Sequence, residues 1–425
     1  MLENSYVCTG QRGSSEGQFR RLSVLVCAYS IDKNDISEAQ VAYQWITRLA
    51  RVADLWVVTS GSRLHDVCGL EEHHGIKLTI LRPRFNYKRW DNFDRAVQPG
   101  FIEFYFRACR VARDIARNNR LDLCHHMAPQ SVRYPTPLDI VGLPLVVGPI
   151  HGGLGTPAVM REFVLKEALL FELRRLDVLR MRWDPWLRRT YAKAKKLLIS
   201  APYVKQALPP QYRPKCSVVP GIAVDDYWSG RCRRGSGGDY VRLIYVGRIT
   251  PSKGLELLLY ALGMCRTRSR IRLDVFGEGP QESGYRDMAM QLGIEGIVNW
   301  RGFVVREKVL DALAGSDIFV LPSLKEPAGI AVIEAMSLGL PVICVDAGGP
   351  SYIIDDDCGV KVRLSTKDEM IYKLAQAVDT LVEDADRRIA MGRKAQERIK
   401  QHFTWNAVVK KILDVYNEVV FEQHK

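Results

Sequence analysis

Short runs of β-branched and other apolar residues alternate with helix-length amphipathic segments along almost the whole chain, and this alternation restricts the fold more than any other feature. The runs are Val24–Ala28, Leu55–Thr59, Leu78–Leu81, Leu145–Val147 and Leu197–Ser200, then Arg242–Val246, Ile271–Phe276, Val298–Trp300, Ile318–Leu321 and Val342–Val345. Apolar runs of this length, each followed by a helix, predict buried parallel strands in βα units. Between the two sets lies Ser229–Tyr240 (SGRCRRGSGGDY), rich in Gly, Ser and Arg and without an apolar face, as in a linker or exposed loop. The expected fold is therefore α/β: two doubly wound Rossmann-like domains facing a cleft. Residues 1–20 are read as a flexible tail, 21–225 as the N-terminal domain, 226–240 as the linker and 241–404 as the C-terminal domain. Thr404 is placed to cap a last helix whose Val408, Ile412, Val415, Tyr416 and Val419 share one face, and that stripe needs a surface to cover it.

Composition removes several other classes. Of the 425 residues, 47% are hydrophobic and 26% charged, which supplies globular cores and excludes a disordered or fibrous chain. No run of about 18 apolar residues occurs, so no membrane-spanning helix is expected. The first twenty residues are polar and lack the apolar stretch of a secretory signal. The ten cysteines form no CxxC pair, and Cys27 and Cys344 sit inside strand-like runs where cysteine acts as a small hydrophobe. A reducing, cytoplasmic setting is expected.

The formal net charge of +13 is distributed unevenly. Residues 1–225 hold 33 Lys and Arg against 21 Asp and Glu, whereas residues 226–425 hold 28 against 27, so nearly all the surplus is in the first half. Within it, residues 160–196 carry 11 basic and 5 acidic side chains among Phe163, Leu169, Leu170, Phe171, Leu173, Leu176, Leu179, Trp183 and Trp186. Basic residues interleaved with aromatic and leucine side chains suit an anionic membrane surface, with about 1 kcal/mol from each Lys or Arg near it. The alternative is a solvated helix that packs its leucines inward. A nucleic-acid binder would need a groove-reading or base-stacking module, and none is recognisable, so no nucleic-acid partner is expected.

Two motifs carry candidate chemistry. In Tyr245-Val-Gly-Arg-Ile-Thr-Pro-Ser-Lys-Gly254 a strand ends at Gly247, and the turn delivers Arg248 and Lys253 to the sheet edge where open α/β sheets bind ligands. A planar guanidinium and a point-charge ammonium make a sound diphosphate clamp, although taken alone two surface cations on a turn would look the same. In Leu321-Pro-Ser-Leu-Lys-Glu-Pro-Ala-Gly-Ile-Ala-Val-Ile-Glu334 a helix starts near Gly329, and its free N–H groups favour an anion. Glu326 precedes that helix, and Glu334 lies about 7.5 Å beyond Gly329 along its axis at 1.5 Å per residue. Two carboxylates flanking an anion site cannot both bind phosphate, but they can accept hydrogen bonds from sugar hydroxyls on either side. Glu334 on a ribose and Glu326 on a transferred sugar fit that geometry.

With these residues the chain resembles the retaining GT-B glycosyltransferases of family 4, whose second domain carries G-R-x4-K-G and, downstream, E-x7-E. The counterparts are Gly247-Arg248 with Lys253-Gly254, and Glu326 with Glu334. Further likeness runs through Phe276-Gly-Glu-Gly-Pro280, Gly302-Phe303, Leu321-Pro-Ser323, Glu334-Ala-Met336, Gly339-x-Pro341, Gly348-Gly-Pro350 and Phe403-Thr-Trp405, so it covers residues 240–405. The resemblance implies a two-domain GT-B enzyme in which helix 405–421 returns to the N-terminal domain. It implies transfer of a sugar from a nucleotide-diphosphate donor to a hydroxyl acceptor: a saccharide, a lipid-linked saccharide or a small metabolite. Arg248 and Lys253 would take the donor diphosphate and Glu334 the ribose hydroxyls. Glu326, with the amides around Ala328, Gly329 and Ile330, would face the donor sugar and phosphate. The loop Gly302-Phe303-Val304 would hold the base. Neither a cofactor nor an essential metal is implied. Ala328 stands where many relatives have glycine, and by this resemblance its methyl would narrow the sugar pocket. Other GT-B enzymes, such as a sugar-nucleotide epimerase or a phosphorylase, share the architecture.

In the N-terminal half, Pro144-Leu-Val-Val-Gly-Pro-Ile-His-Gly-Gly153 ends a strand in a histidine, and many members of the family place a histidine there against the donor sugar. His151 is the candidate, followed by Gly152 and Gly153; a histidine buried in the core is the alternative. His125 and His126 follow Leu121-Asp-Leu-Cys124 and are expected to end an earlier strand facing the cleft. Ser37-Glu38, in the loop after the first strand, resembles a Gly-Ser-Glu found in some relatives and is expected to shape the acceptor site. Gly277-Glu-Gly-Pro-Gln-Glu282 lacks the third glycine of a dinucleotide fingerprint, and Asp355-Asp-Asp357 reads as a solvated turn rather than a metal cluster.

Overall fold

A computed structural model of the chain describes residues 20–422 except 35–37, 62–69, 71–74, 86–98, 155–179, 182 and 227–238. The tail, most of the linker and much of the basic stretch 160–196 therefore lie outside the described residues. The described chain forms two parallel sheets. The first holds β1 (Ser23–Ala28), β2 (Asp54–Ser60), β3 (Ile76–Leu81), β4 (Leu123–Ala128), β5 (Leu145–Ile150), β6 (Ala194–Ile199) and β7 (Cys216–Val218), in the order β3-β2-β1-β4-β5-β6-β7. The second holds β8 (Val241–Val246), β9 (Ile271–Phe276), β10 (Val298–Gly302), β11 (Ile318–Leu321), β12 (Val342–Val345) and β13 (Gly359–Val362), in the order β10-β9-β8-β11-β12-β13. Both orders reverse direction once, between β1 and β4 and between β8 and β11. Ligands of doubly wound sheets sit at such switch points.

The strands form where the sequence places continuous apolar runs. Every residue of β1 and β5 is buried, because helices cover both faces of each sheet. On one face of the first sheet, Val24, Val26, Leu55 and Val57 pack with Trp45 and Ile46 of the helix Glu38–Leu49. On the other, Leu25, Cys27 and Val58 pack with Phe101, Phe104 and Tyr105 of the helix Pro99–Asn118. The second domain has one continuous core around β8, β9, β11 and β12.

The closing helix, Trp405–Phe421, belongs to the first of these cores. Its Trp405, Val408, Ile412, Val415, Tyr416 and Val419 are buried with Val24, Trp45 and Leu123. Thr404 caps it, the hydroxyl accepting from the Ala407 N–H at 3.3 Å. The chain thus crosses between the domains twice, and the crossings lie side by side. Val224 N–H donates to Phe403 O, and Trp405 N–H donates to Val224 O, each at 3.0 Å.

Strand β4 differs from the sequence expectation. It continues past Cys124 to Ala128, so His125 and His126 stand inside it, not at its end. Both rings are fully buried in the core. His125 faces the closing helix: its Nδ1 lies 2.5 Å from Tyr416 Oη and its Nε2 2.7 Å from Gly148 O. A carbonyl only accepts, so Nε2 carries the proton and Nδ1 accepts from the tyrosine hydroxyl. Burial pushes the His125 pKa down to about 4 and, together with the neighbouring His125, that of His126 down to about 3.

Candidate active site

The two motif loops leave β8 and β11, the strands on either side of the second switch point, and they are stitched together. The Ser252 carbonyl accepts from the Leu324 N–H at 3.0 Å, the Lys325 N–H at 3.3 Å and the Ser323 hydroxyl at 3.1 Å. Gly254 makes this approach possible. Its backbone is left-handed (φ +71°), and a Cβ there would lie 1.9 Å from Pro322 O. Lys253 is thereby held against the second loop, where its ammonium pairs with Glu326.

Glu326 does two things at once. Its Oε2 takes Lys253, while its Oε1 accepts from the Ala328 N–H at 3.3 Å and the Gly329 N–H at 3.1 Å, at the start of the helix Ile330–Ser337. Its carbonyl accepts from the Gly349 N–H at 2.8 Å, which draws in the short helix Gly348–Ile353 after β12. Arg248 lies on the same turn as Lys253, with its carbonyl accepting from Tyr245 Oη at 3.2 Å; its side chain is exposed and makes no ion pair among the described residues. Gly247 ends the strand beneath it, tied by its N–H to Phe276 O at 3.0 Å.

Glu334, one turn into the helix, is buried. Arg306, first residue of the helix Arg306–Ala314, reaches it with Nε at 2.7 Å and Nη2 at 2.6 Å, both on Oε1. Burial raises the Glu334 pKa above the usual carboxylate range, and the Arg306 charge and hydrogen bonds pull against that rise. The loop Gly302-Phe303-Val304 precedes Arg306. Gly302 is left-handed (φ +67°), the Phe303 N–H donates to Glu278 Oε1 at 3.2 Å, and the Phe303 ring is 76% exposed. Ile330 is also partly exposed at the helix start.

The first domain meets this edge through the ends of β5 and β6. His151 follows β5, and its N–H donates to Gln130 O at 2.6 Å. Its ring packs on Gly221 and lines a cavity between the domains together with Pro327, Ala328, Ile333, Gly349 and Tyr352. Burial pushes the His151 pKa down to about 4, so the ring is neutral, and Nε2 has no hydrogen-bond partner. Tyr203, after β6, donates from its hydroxyl to Pro327 O at 2.9 Å, and Leu154 packs against Gly348. Gly152 and Gly153 are both left-handed (φ +111° and +77°), and Gly153 lies against Ala207. Glu38 opens its helix beside this edge and accepts from the Gln130 N–H at 3.1 Å; desolvation raises its pKa, opposed by that N–H and by Arg133. Ser37 lies outside the described residues.

The structure therefore brings Lys253, Glu326, Ala328, Gly329 and His151 to one inter-domain edge, with Arg248 beside it and Glu334 one helical turn away. It leaves His125 and His126 out, in the core. No sequence motif singles out Arg306 or Tyr203, the two further residues at this edge. Arg306 stands 28 residues before its partner with no pattern linking them, and Tyr203 looks like any residue of a loop after a strand.

A second surface lies on the first domain. On the helix Pro99–Asn118 the outward stripe reads Ile102, Phe106, Arg110, Arg113, Arg117. Phe106 meets Trp186 edge-on with ring centroids 6.4 Å apart, and Trp183 beside it is 75% exposed. Arg188, Arg189 and Lys193 are exposed on the helix Pro185–Lys193.

Residues 231–398 match the model of the glycosyl transferases group 1. A D-inositol 3-phosphate glycosyltransferase of Kineococcus radiotolerans is 33% identical over 208 residues, 45% of this chain and 47% of that protein. An uncharacterized glycosyltransferase of Methanocaldococcus jannaschii is 30% identical over 179 residues, 42% of this chain and 45% of that protein. The chain spans less than half the length of these relatives. Among solved structures, HepE of Anabaena in complex with UDP superposes with a TM-score of 0.61 over 93% of this chain and 100% of that one, at 16% identity. The chain has the two-domain α/β GT-B fold, and its second domain is the part that matches the glycosyl transferases group 1.

Proposed function

We propose that this protein is a retaining glycosyltransferase that moves a sugar from a nucleotide-diphosphate donor to a hydroxyl acceptor. The observation that carries the reading is the convergence of Lys253, Glu326 and the Ala328 and Gly329 N–H groups, just before the helix Ile330–Ser337, at one sheet switch point next to Arg248. Cations and helix N–H groups suit a diphosphate, and carboxylates suit the hydroxyls on either side of it. The likeness to the glycosyl transferases group 1 over residues 231–398 supports the same assignment. So does HepE, whose solved complexes contain UDP and UDP-glucose.

In this reading the bond from the sugar to the β-phosphate loosens as Arg248, Lys253 and the helix N–H groups take up the charge growing on the leaving diphosphate. Such preorganised electrostatic stabilisation commonly contributes more to catalysis than any other single effect. That charge is assigned to side chains and backbone rather than to a divalent ion. Glu326 and the neutral His151 face the transferred sugar, and Ala328 trims its pocket. The acceptor hydroxyl enters from the side of Glu38, Gly152 and Gly153 and attacks on the face the phosphate leaves, giving it its proton. The contact of Tyr203 with Pro327 closes the two domains over the site and limits hydrolysis. The surface of Ile102, Phe106, Trp183 and Trp186 with its arginines is assigned to an anionic membrane, at the inner face of which a lipid-linked acceptor would be met.

Thermal-shift screening against UDP-, GDP- and ADP-sugars, followed by mass spectrometry of acceptor mixtures with the stabilising donor, tests the reading. A selective donor and a product heavier by one glycosyl unit are expected. Release of free nucleotide without a glycosylated product would overturn transfer in favour of an epimerase or related GT-B reaction.

A further inference from the structure

The Glu334 carboxylate is not offered whole to a ligand. Both contacts from Arg306, Nε at 2.7 Å and Nη2 at 2.6 Å, fall on Oε1. Oε2 takes no hydrogen bond among the described residues and is not sealed from solvent. The Arg306 side chain is half exposed, so the guanidinium N–H groups not spent on Oε1 remain accessible. The helix that Arg306 opens follows, after Val305, on the loop Gly302-Phe303-Val304, in which Phe303 is exposed.

We propose that Arg306 is a positioning residue for the donor ribose: it fixes Glu334 through Oε1, leaving a single acceptor oxygen with a guanidinium donor beside it. The proposal rests on the reading of this edge as the donor site. A ribose diol then meets an acceptor and a donor in place of two carboxylate oxygens. One hydroxyl donates to Oε2 and its neighbour accepts from Arg306. Arg306 also keeps the carboxyl charged. Burial by itself favours the protonated form, and Arg306 is the charged group that opposes it. Three further polar groups on the packed elements have partners of their own. Ser337 donates to the Glu334 carbonyl, Gln396 to Ser337 O, and Arg398 to Tyr352 O, Ile353 O and Asp355.

The test is calorimetric binding of UDP, GDP and ADP, followed by the 2′-deoxy and 3′-deoxy forms of whichever binds tightest. Hydrogen bonds to charged groups predict that the wild type prefers the ribonucleotide by about tenfold or more. In Arg306→Ala that preference is expected to fall to within about twofold, and to recover in part as the pH is raised and Glu334 ionises without help. Arg306→Lys keeps the charge and loses the fork, so it should hold affinity better than Arg306→Ala does. In a Glu334→Gln background, Arg306→Ala should add less than about twofold, because the two residues act as a unit. An unchanged ribose preference in Arg306→Ala, or its full effect persisting in the Glu334→Gln background, would overturn the proposal while leaving the donor site standing. No binding of any nucleoside diphosphate by the wild type would remove the donor site itself, and this proposal with it.

Discussion

Lys253 and Glu326 form the contact on which the site turns, and each can be altered with limited damage to the loop around it. In Glu326→Gln the amide oxygen still accepts from the Ala328 and Gly329 N–H groups, so the turn into the helix survives while the charge goes. Lys253→Ala removes an ammonium that is already partly exposed. Each variant is expected to lower turnover roughly a hundredfold or more, the scale of losing one preorganised electrostatic group, with a thermal midpoint close to wild type. Turnover within a few-fold of wild type in both would remove these residues from the reaction. Both positions are legible in the sequence, because a strand end, a glycine and a charge at fixed spacing constrain the backbone directly. Arg306 is not, since its partner is chosen by packing between two helices and not by spacing. His125 and His126 mislead for a related reason. A polar pair after Cys124 reads as a strand end, yet the strand continues because His125 finds Tyr416 on a helix 291 residues away in sequence.

Among the elements, the closing helix has the most specific tie to the first sheet. Tyr416→Phe leaves His125 Nδ1 buried and unpartnered, at an expected cost of about 1–3 kcal/mol, readable as a lower denaturant midpoint. The same residue makes the element sensitive to acid. The unfolded chain binds a proton on His125 near pH 6.5, whereas the folded ring resists until about 4, so the unfolded state holds more protons between those values. Stability is therefore full above about pH 6.5 and falls towards pH 4, by about 1.4 kcal/mol per pH unit for each such histidine. His126 and His151 add to the fall with the same sign. A urea midpoint that stays level from pH 7 to pH 4.5 would contradict this. Ten of the thirteen strands among the described residues follow apolar runs that the sequence displays. β7, three half-buried residues at one sheet edge, and β13 at another carry too little pattern to stand out, and β4 is hidden by its histidines.

For the whole molecule, the charge asymmetry and the aromatic ridge lie on the same domain. Ile102, Phe106, Trp183 and Trp186 present an apolar edge, and Arg110, Arg113 and Arg117 continue it in positive charge. Co-sedimentation with liposomes containing anionic lipid is expected at low salt, with a steep fall as ionic strength rises and the Debye length shrinks to about 8 Å at 0.15 M. Phe106→Ser with Trp186→Ser should weaken the binding that remains at high salt, and Arg113→Glu with Arg117→Glu the part that salt removes. No sedimentation at low salt would leave this face to a soluble acceptor or to water.

The paired backbone ties joining Val224 to Phe403 and Trp405 have a mechanical result. Two segments of chain fastened side by side pin the halves together where the chain passes between them. Severing the covalent joint before β8 would still leave the halves coupled at the pin, because the last helix remains lodged in the far half.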